Sequence, residues 1–93
     1  MDGDGVGTGV RVRLFAALRE AAGEAESRLE PGPVAQLLQQ LRVRYGELFA
    51  ARLAIATVLV DGQVVRPGTE VEVPDGAELA LLPPVSGGAD PAP

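Results

Sequence analysis

In the stretch VRVRLF, Val10, Val12 and Leu14 alternate with Arg11 and Arg13. A period of two puts every second side chain on one face, so this segment predicts a strand with one face buried. AALREAAG then switches to helix formers and stops at Gly23, which predicts about two helical turns. EAESRLE predicts a second strand, and together the three pieces read as a hairpin whose connection is helical. The clearest element is PGPVAQLLQQLRVRYG. Val34, Leu37, Leu38, Leu41 and Tyr45 follow helical spacing, Gln36, Gln39, Gln40, Arg42 and Arg44 take the other side, and Gly46 ends it. Pro33 is expected in the first helical turn. ELFAARLA fits either another helical turn or a loop. IATVLVDGQVV reads as strand, turn, strand, because Asp61-Gly62 suits a tight turn that needs positive φ at both positions. Pro67-Gly68 and Pro74-Asp75-Gly76 mark two more turns, and AELALL predicts a final strand.

These elements suggest an α+β domain: a mixed sheet with one main helix packed on one face, the β-grasp or ubiquitin-like architecture. The order of the strands is not readable from the pattern. Residues 1–9 are expected to form a disordered arm, 10–86 the domain, and 87–93 a flexible tail.

Composition narrows the chemistry. The chain has 93 residues, no cysteine and no histidine. It therefore has neither a thiol nucleophile nor an imidazole base of its own, and no metal site is expected. The net charge is −5, and no basic cluster interrupts it. This argues against nucleic acid as a partner. No apolar run approaches the length of a membrane span, and the acidic, glycine-rich start is unlike a signal peptide. The expected setting is the cytoplasm, away from membranes.

The final segment, LLPPVSGGADPAP, carries the strongest chemical suggestion. Pro83 and Pro84 fix φ and bias the preceding residues toward extended backbone, so the chain is expected to leave the last strand as a stiff stem. Val85 and Ser86 are small, and Gly87 and Gly88 have no β-carbon. Such a segment fits a narrow slot and brings a backbone carboxyl group against a bulky reagent. A Gly-Gly pair alone more often marks a floppy end; here its context matters.

Two segments resemble a known family. In VRVRLFAALREAAG, Phe15, Ala16, Arg19, Glu20 and Gly23 match the opening of the small subunit of molybdopterin synthase, the MoaD family within the MoaD/ThiS type of sulfur carrier. DGAELALLPPVSGG is similar to that family's ending. The resemblance spans residues 10–88. It implies a β-grasp sulfur carrier with no bound cofactor. Gly88 would be adenylated by a ubiquitin-activating-type enzyme using ATP, and a sulfur donor would then convert it to a thiocarboxylate. The stem Pro83, Pro84, Val85, Ser86 and Gly87 would enter the active site of the synthase's large subunit, where sulfur passes to the molybdopterin precursor. By motif position, Phe15 and Leu82 are candidates for the apolar docking surface; core burial is the alternative for both. The chain departs from the family at ADPAP, since Gly88 is joined to Ala89. Two explanations fit: a processing protease removes Ala89 to Pro93, which is the favoured expectation, or the protein is a paralogue that cannot be activated. Other readings of the same tail are a carrier for thiazole or cysteine synthesis, or a protein modifier that joins target lysines through Gly88.

Overall fold

The computed structural model describes residues 9–84. The arm before Gly9 and the segment from Val85 to Pro93, including Gly87 and Gly88, lie outside the described residues. The elements run β1 (Val10–Leu14), α1 (Ala16–Ala22), β2 (Glu26–Leu29), β3 (Gly32–Pro33), α2 (Val34–Tyr45), α3 (Glu47–Leu53), β4 (Thr57–Val60), β5 (Gln63–Val65), β6 (Glu72–Val73) and β7 (Glu78–Leu82).

Five strands form one mixed sheet in the order β2-β1-β7-β4-β5, and β3 with β6 forms a two-stranded ladder beside it. β1 and β7 pair in parallel at the centre, with Val12 opposite Leu79 and Leu14 opposite Leu81. The other contacts in the sheet are antiparallel. Side chains in register share a face. Val10, Val12, Leu14, Leu79 and Leu81 therefore project together, and all are essentially fully buried. Val34, Leu37 and Leu41 of α2 join them in the core. Each such side chain contributes about 1.5–3 kcal/mol by leaving water, before the entropy of ordering it is counted.

The structure contains the expected mixed sheet and main helix, and the expected short helix before Gly23 as α1. The undecided segment ELFAARLA folds as α3 and supplies Phe49 and Leu53, one turn apart, to the core. Phe49 also packs on Tyr45 of α2, with ring centroids 4.9 Å apart. Pro33 differs from expectation. It caps α2 with extended backbone (φ −64, ψ 140) and pairs with Glu72 in the small ladder. As an N-cap it starts the helix from outside, because its chain direction is set by that strand pair. The helix is thus anchored by β3–β6 and not by a side-chain cap.

The expected turn between β4 and β5 is present, with positive φ at both Asp61 (49°) and Gly62 (83°). The Asp61 carboxylate also accepts a 2.9 Å hydrogen bond from the Glu78 backbone N–H, which fastens the hairpin to β7. Gly9 is held before β1: its N–H donates to the Asp75 carboxylate at 2.7 Å, and its carbonyl accepts from Gly76. Gly9 is thus hydrogen-bonded to the turn before β7. A β-carbon on Gly9 would lie 2.9 Å from the Leu29 carbonyl oxygen, and its φ is +75°. That combination of close approach and left-handed backbone suits glycine alone.

Two predictions follow from this packing. Leu37→Ala should cost about 2–5 kcal/mol, whereas Val43→Ala on the same helix, 75% exposed, should change stability by less than about 0.5 kcal/mol. Urea denaturation curves compare the two directly. The second concerns Tyr45, whose phenol is held above its usual range by burial and then by the hydrogen bond it donates to Glu24. A raised acid constant means the folded state retains this proton more tightly. Its contribution should therefore be complete below pH 10.0, the ordinary tyrosine value, and be lost as pH rises through the folded value. Tyr45→Phe should flatten the alkaline decline in stability, measured by thermal unfolding across that range.

Candidate functional site

The end of β7 is where the domain hands the chain to its C-terminal segment. β7 is the central strand, with β1 on one side and β4 on the other. Register places Leu81 beside Leu14, and Leu82 beside Thr57. Phe15 immediately follows β1 and is fixed from both directions. Its N–H donates to the Leu81 carbonyl at 3.2 Å, and its own carbonyl accepts from Leu18 at 3.0 Å, which opens α1. The backbone of one residue thus ties β7 to the first helix. Ala16 then turns the chain at φ 49°, a conformation that costs a residue with a β-carbon roughly 1–2 kcal/mol. The abrupt turn lets α1 begin directly after Phe15.

The sequence left open the face of Leu82. Its neighbour Leu81 is fully buried on the helix side, so strand alternation puts Leu82 on the opposite, open face. Phe15, extended at φ −124 and ψ 148, continues the alternation of β1 and shares that face with Arg13. The Arg13 guanidinium lies 5.3 Å from the Phe15 ring centroid. It also forms a 3.3 Å ion pair with Glu78 and a 4.0 Å ion pair with Glu26. These charges are partly exposed, so each pair contributes at most about 1 kcal/mol. Their better-defined effect is to hold Arg13 beside the aromatic ring. Phe15 and Leu82 are half-buried. By register, Ala80, Leu59 and Val64 occupy the same face; Ala80 is buried among its neighbours, Leu59 is half-buried and Val64 is 66% exposed.

The structure therefore brings Phe15 and Leu82 together at one end of an apolar open face. Pro83 is half-buried at its margin, and Pro84 is exposed. Val85, Ser86, Gly87 and Gly88, the remaining candidates, are outside the described residues. Leu59, Ala80 and Val64 were missed as members of this face. The signal was ELALL itself: after Glu78 it keeps no polar residue on its outward positions. Among the described residues, no cluster of acidic side chains could hold a metal ion, and no helix is long and apolar enough to cross a membrane.

Residues 12–88 match the ThiS family. The chain belongs to the ThiS family. A curated relative, the molybdopterin synthase sulfur carrier subunit of Chlamydomonas reinhardtii, is 33% identical over 85 residues, covering 85% of this chain and 98% of the relative. Among solved structures, the small archaeal modifier protein 1 of Methanosarcina acetivorans superposes with a TM-score of 0.68 at 33% identity, over 84% of this chain and 94% of that one. A protein–protein complex of subunits 1 and 2 of the molybdopterin-converting factor from Helicobacter pylori includes a chain with a TM-score of 0.64 at 22% identity. That match covers 84% of this chain and 96% of the other, and it shows a common fold. The sheet order and main helix of this ThiS-family chain are accordingly those of a β-grasp, ubiquitin-like domain.

Because Leu14 and Phe15 are adjacent but face opposite ways, their truncations should separate. Leu14→Ala should cost about 2–5 kcal/mol, and Phe15→Ala distinctly less despite removing a larger side chain. Chemical denaturation measures both, and equal losses would place Phe15 in the core.

Proposed function

We propose that this protein is the sulfur carrier subunit of a molybdopterin synthase. The observation that carries the reading is the union of a ThiS-family match reaching residue 88 with the 33% identical curated relative of that function. The geometry fits: a central strand delivers a Pro-Pro stem beside an apolar open face. Hydrolysis of the Gly88–Ala89 bond frees a carboxylate. This attacks the α-phosphate of ATP on a ubiquitin-activating-type partner, and pyrophosphate leaves. Sulfur from a donor then displaces AMP, producing a thiocarboxylate on Gly88. Phe15 and Leu82 dock the domain on the large subunit, and Pro83 to Gly87 carry Gly88 into its active site. The sulfur is transferred there to the molybdopterin precursor. The solved complex of subunits 1 and 2 supports a partner of this kind.

Beyond the Gly88 carboxylate itself, this scheme requires no side-chain nucleophile or base from the carrier, which suits a chain lacking cysteine and histidine. Docking by an apolar face and insertion by a stem divide the work. The first supplies binding energy; the second limits the backbone freedom lost when the tail is threaded. A second reading, a protein modifier, is favoured by the 33% identical archaeal modifier structure. It uses the same activated glycine but ends in an isopeptide bond.

The deciding experiment is mass spectrometry of the protein from cells making molybdenum cofactor, with a thiol-reactive label. A chain ending at Gly88 and carrying a labelled thiocarboxylate is expected. Persistence of the full chain under those conditions would sink the carrier reading, and adducts on other proteins would favour the modifier. In a reconstituted synthase, Phe15→Asp and Leu82→Asp should each weaken large-subunit binding at least about tenfold while circular dichroism shows a retained fold.

A further inference from the structure

The sheet has two outer strands, and their edges differ. β2 carries Glu26 and Arg28, charges of the kind that protect an edge from added strands. β5 reads Gln63-Val64-Val65 and carries none. It pairs with β4 on one side and has no strand on the other among the described residues. Between β5 and α2 lies a groove of about 480 Å³. Leu38 from α2, Val58 from β4, Val65 from β5 and Val71 give it an apolar floor. Arg42 and Arg66 also line it, against the single carboxylate of Glu70. On a chain of net charge −5, this concavity is locally cationic.

An open edge offers backbone hydrogen bonds, an apolar groove accepts alternate side chains, and flanking cations select acidic neighbours. We propose that the groove between α2 and β5 receives an extended segment of a partner protein, a short apolar run flanked by carboxylates, added as a strand beside β5. A second copy of this chain is a poorer occupant. Two copies joined through β5 would bring together two acidic chains, and Gln63-Val64-Val65 offers no carboxylate to Arg42 or Arg66. The groove meets the apolar open face at Val64, which belongs to both, but Phe15 and Leu82 do not line it, and it is not remote from the tail. Thr57 lines the groove and pairs with Leu82. In the order β7-β4-β5, a strand added beside β5 lies about 14 Å from β7, three interstrand spacings. A partner that handles the tail can thus grip β5 and leave Phe15 and Leu82 uncovered. The proposal does not depend on whether Gly88 is processed.

The test is a titration of the isotope-labelled full chain with a synthetic peptide, a valine run flanked by aspartates, followed by nuclear magnetic resonance. Amide shifts should concentrate on 63–66, Leu38, Arg42 and Val71. Arg42→Glu and Arg66→Glu should each weaken binding about tenfold, equivalent to about 1.4 kcal/mol. A matched peptide with lysine in place of aspartate should not bind. Equal binding of the two peptides overturns the proposal, as do shifts centred on Phe15 and Leu82 or no shifts at all. Self-association through β5, seen as a doubled mass that excludes the peptide, also overturns it. Both arginines sit at the groove's wall outside the core, so circular dichroism of the two variants should match the parent.

Discussion

The parallel pairing of β1 with β7 joins the first strand of the domain to the last, and both outer parts of the sheet hang from it. β2 attaches to β1, and the β4–β5 hairpin attaches to β7. A parallel pair needs a long crossover; here the crossover is nearly the whole domain. Its closure entropy must be met before the contact rewards it. The central leucines repay that cost, since Leu79 and Leu81 meet Val12 and Leu14 in a layer closed to water. One consequence is positional. The strand that releases the C-terminal segment is held on both sides and cannot shift without disturbing the core.

That constraint also explains why the two faces of β7 differ. In a sheet covered on one side only, outward positions are normally polar. Glu78 obeys the rule and pairs with Arg13. Ala80 and Leu82 break it, and Phe15 breaks it on the neighbouring strand. The departure lies toward the tail exit, where an apolar surface can be used by a partner, and the ion pairs lie toward the other end. Arg13 stands at the boundary, paired with carboxylates and set over the Phe15 ring. The same side chain therefore ends the polar part of the face and steadies the aromatic part.

Much of this was legible in the sequence because it is local. The spacing of Val34, Leu37 and Leu41 specified the inner face of α2, and Asp61-Gly62 specified the hairpin turn. Strand order was not legible, because nothing near β1 or β7 encodes their pairing. The helix α3 was ambiguous because Phe49 and Leu53 make a single apolar pair, too few to establish a period. β3 and β6 have two residues each, below the length at which alternation exists. Pro33 reads as part of the first helical turn because its ladder partner Glu72 is distant in sequence. For the site, the motif named Phe15 and Leu82, but ELALL gave no alternation from which to read a face. Only the buried Leu81 beside it decides that Leu82 points outward.

The exit shows how a protein without its own catalytic side chains can still shape a reaction. Fixing one residue's backbone costs roughly 1–2 kcal/mol. A tail free from the last hydrogen-bonded residue would pay this for every position threaded into a partner. Pro83 and Pro84 already have φ restricted, and Pro83 is half-buried against the domain, so part of that cost is met during folding. If the proposed chemistry holds, the domain's stability is thereby coupled to delivery: the core fixes β7, β7 fixes the prolines, and the prolines set where the reactive carbon can go. Loosening the centre of the sheet would then impair sulfur transfer even with every residue of the tail intact.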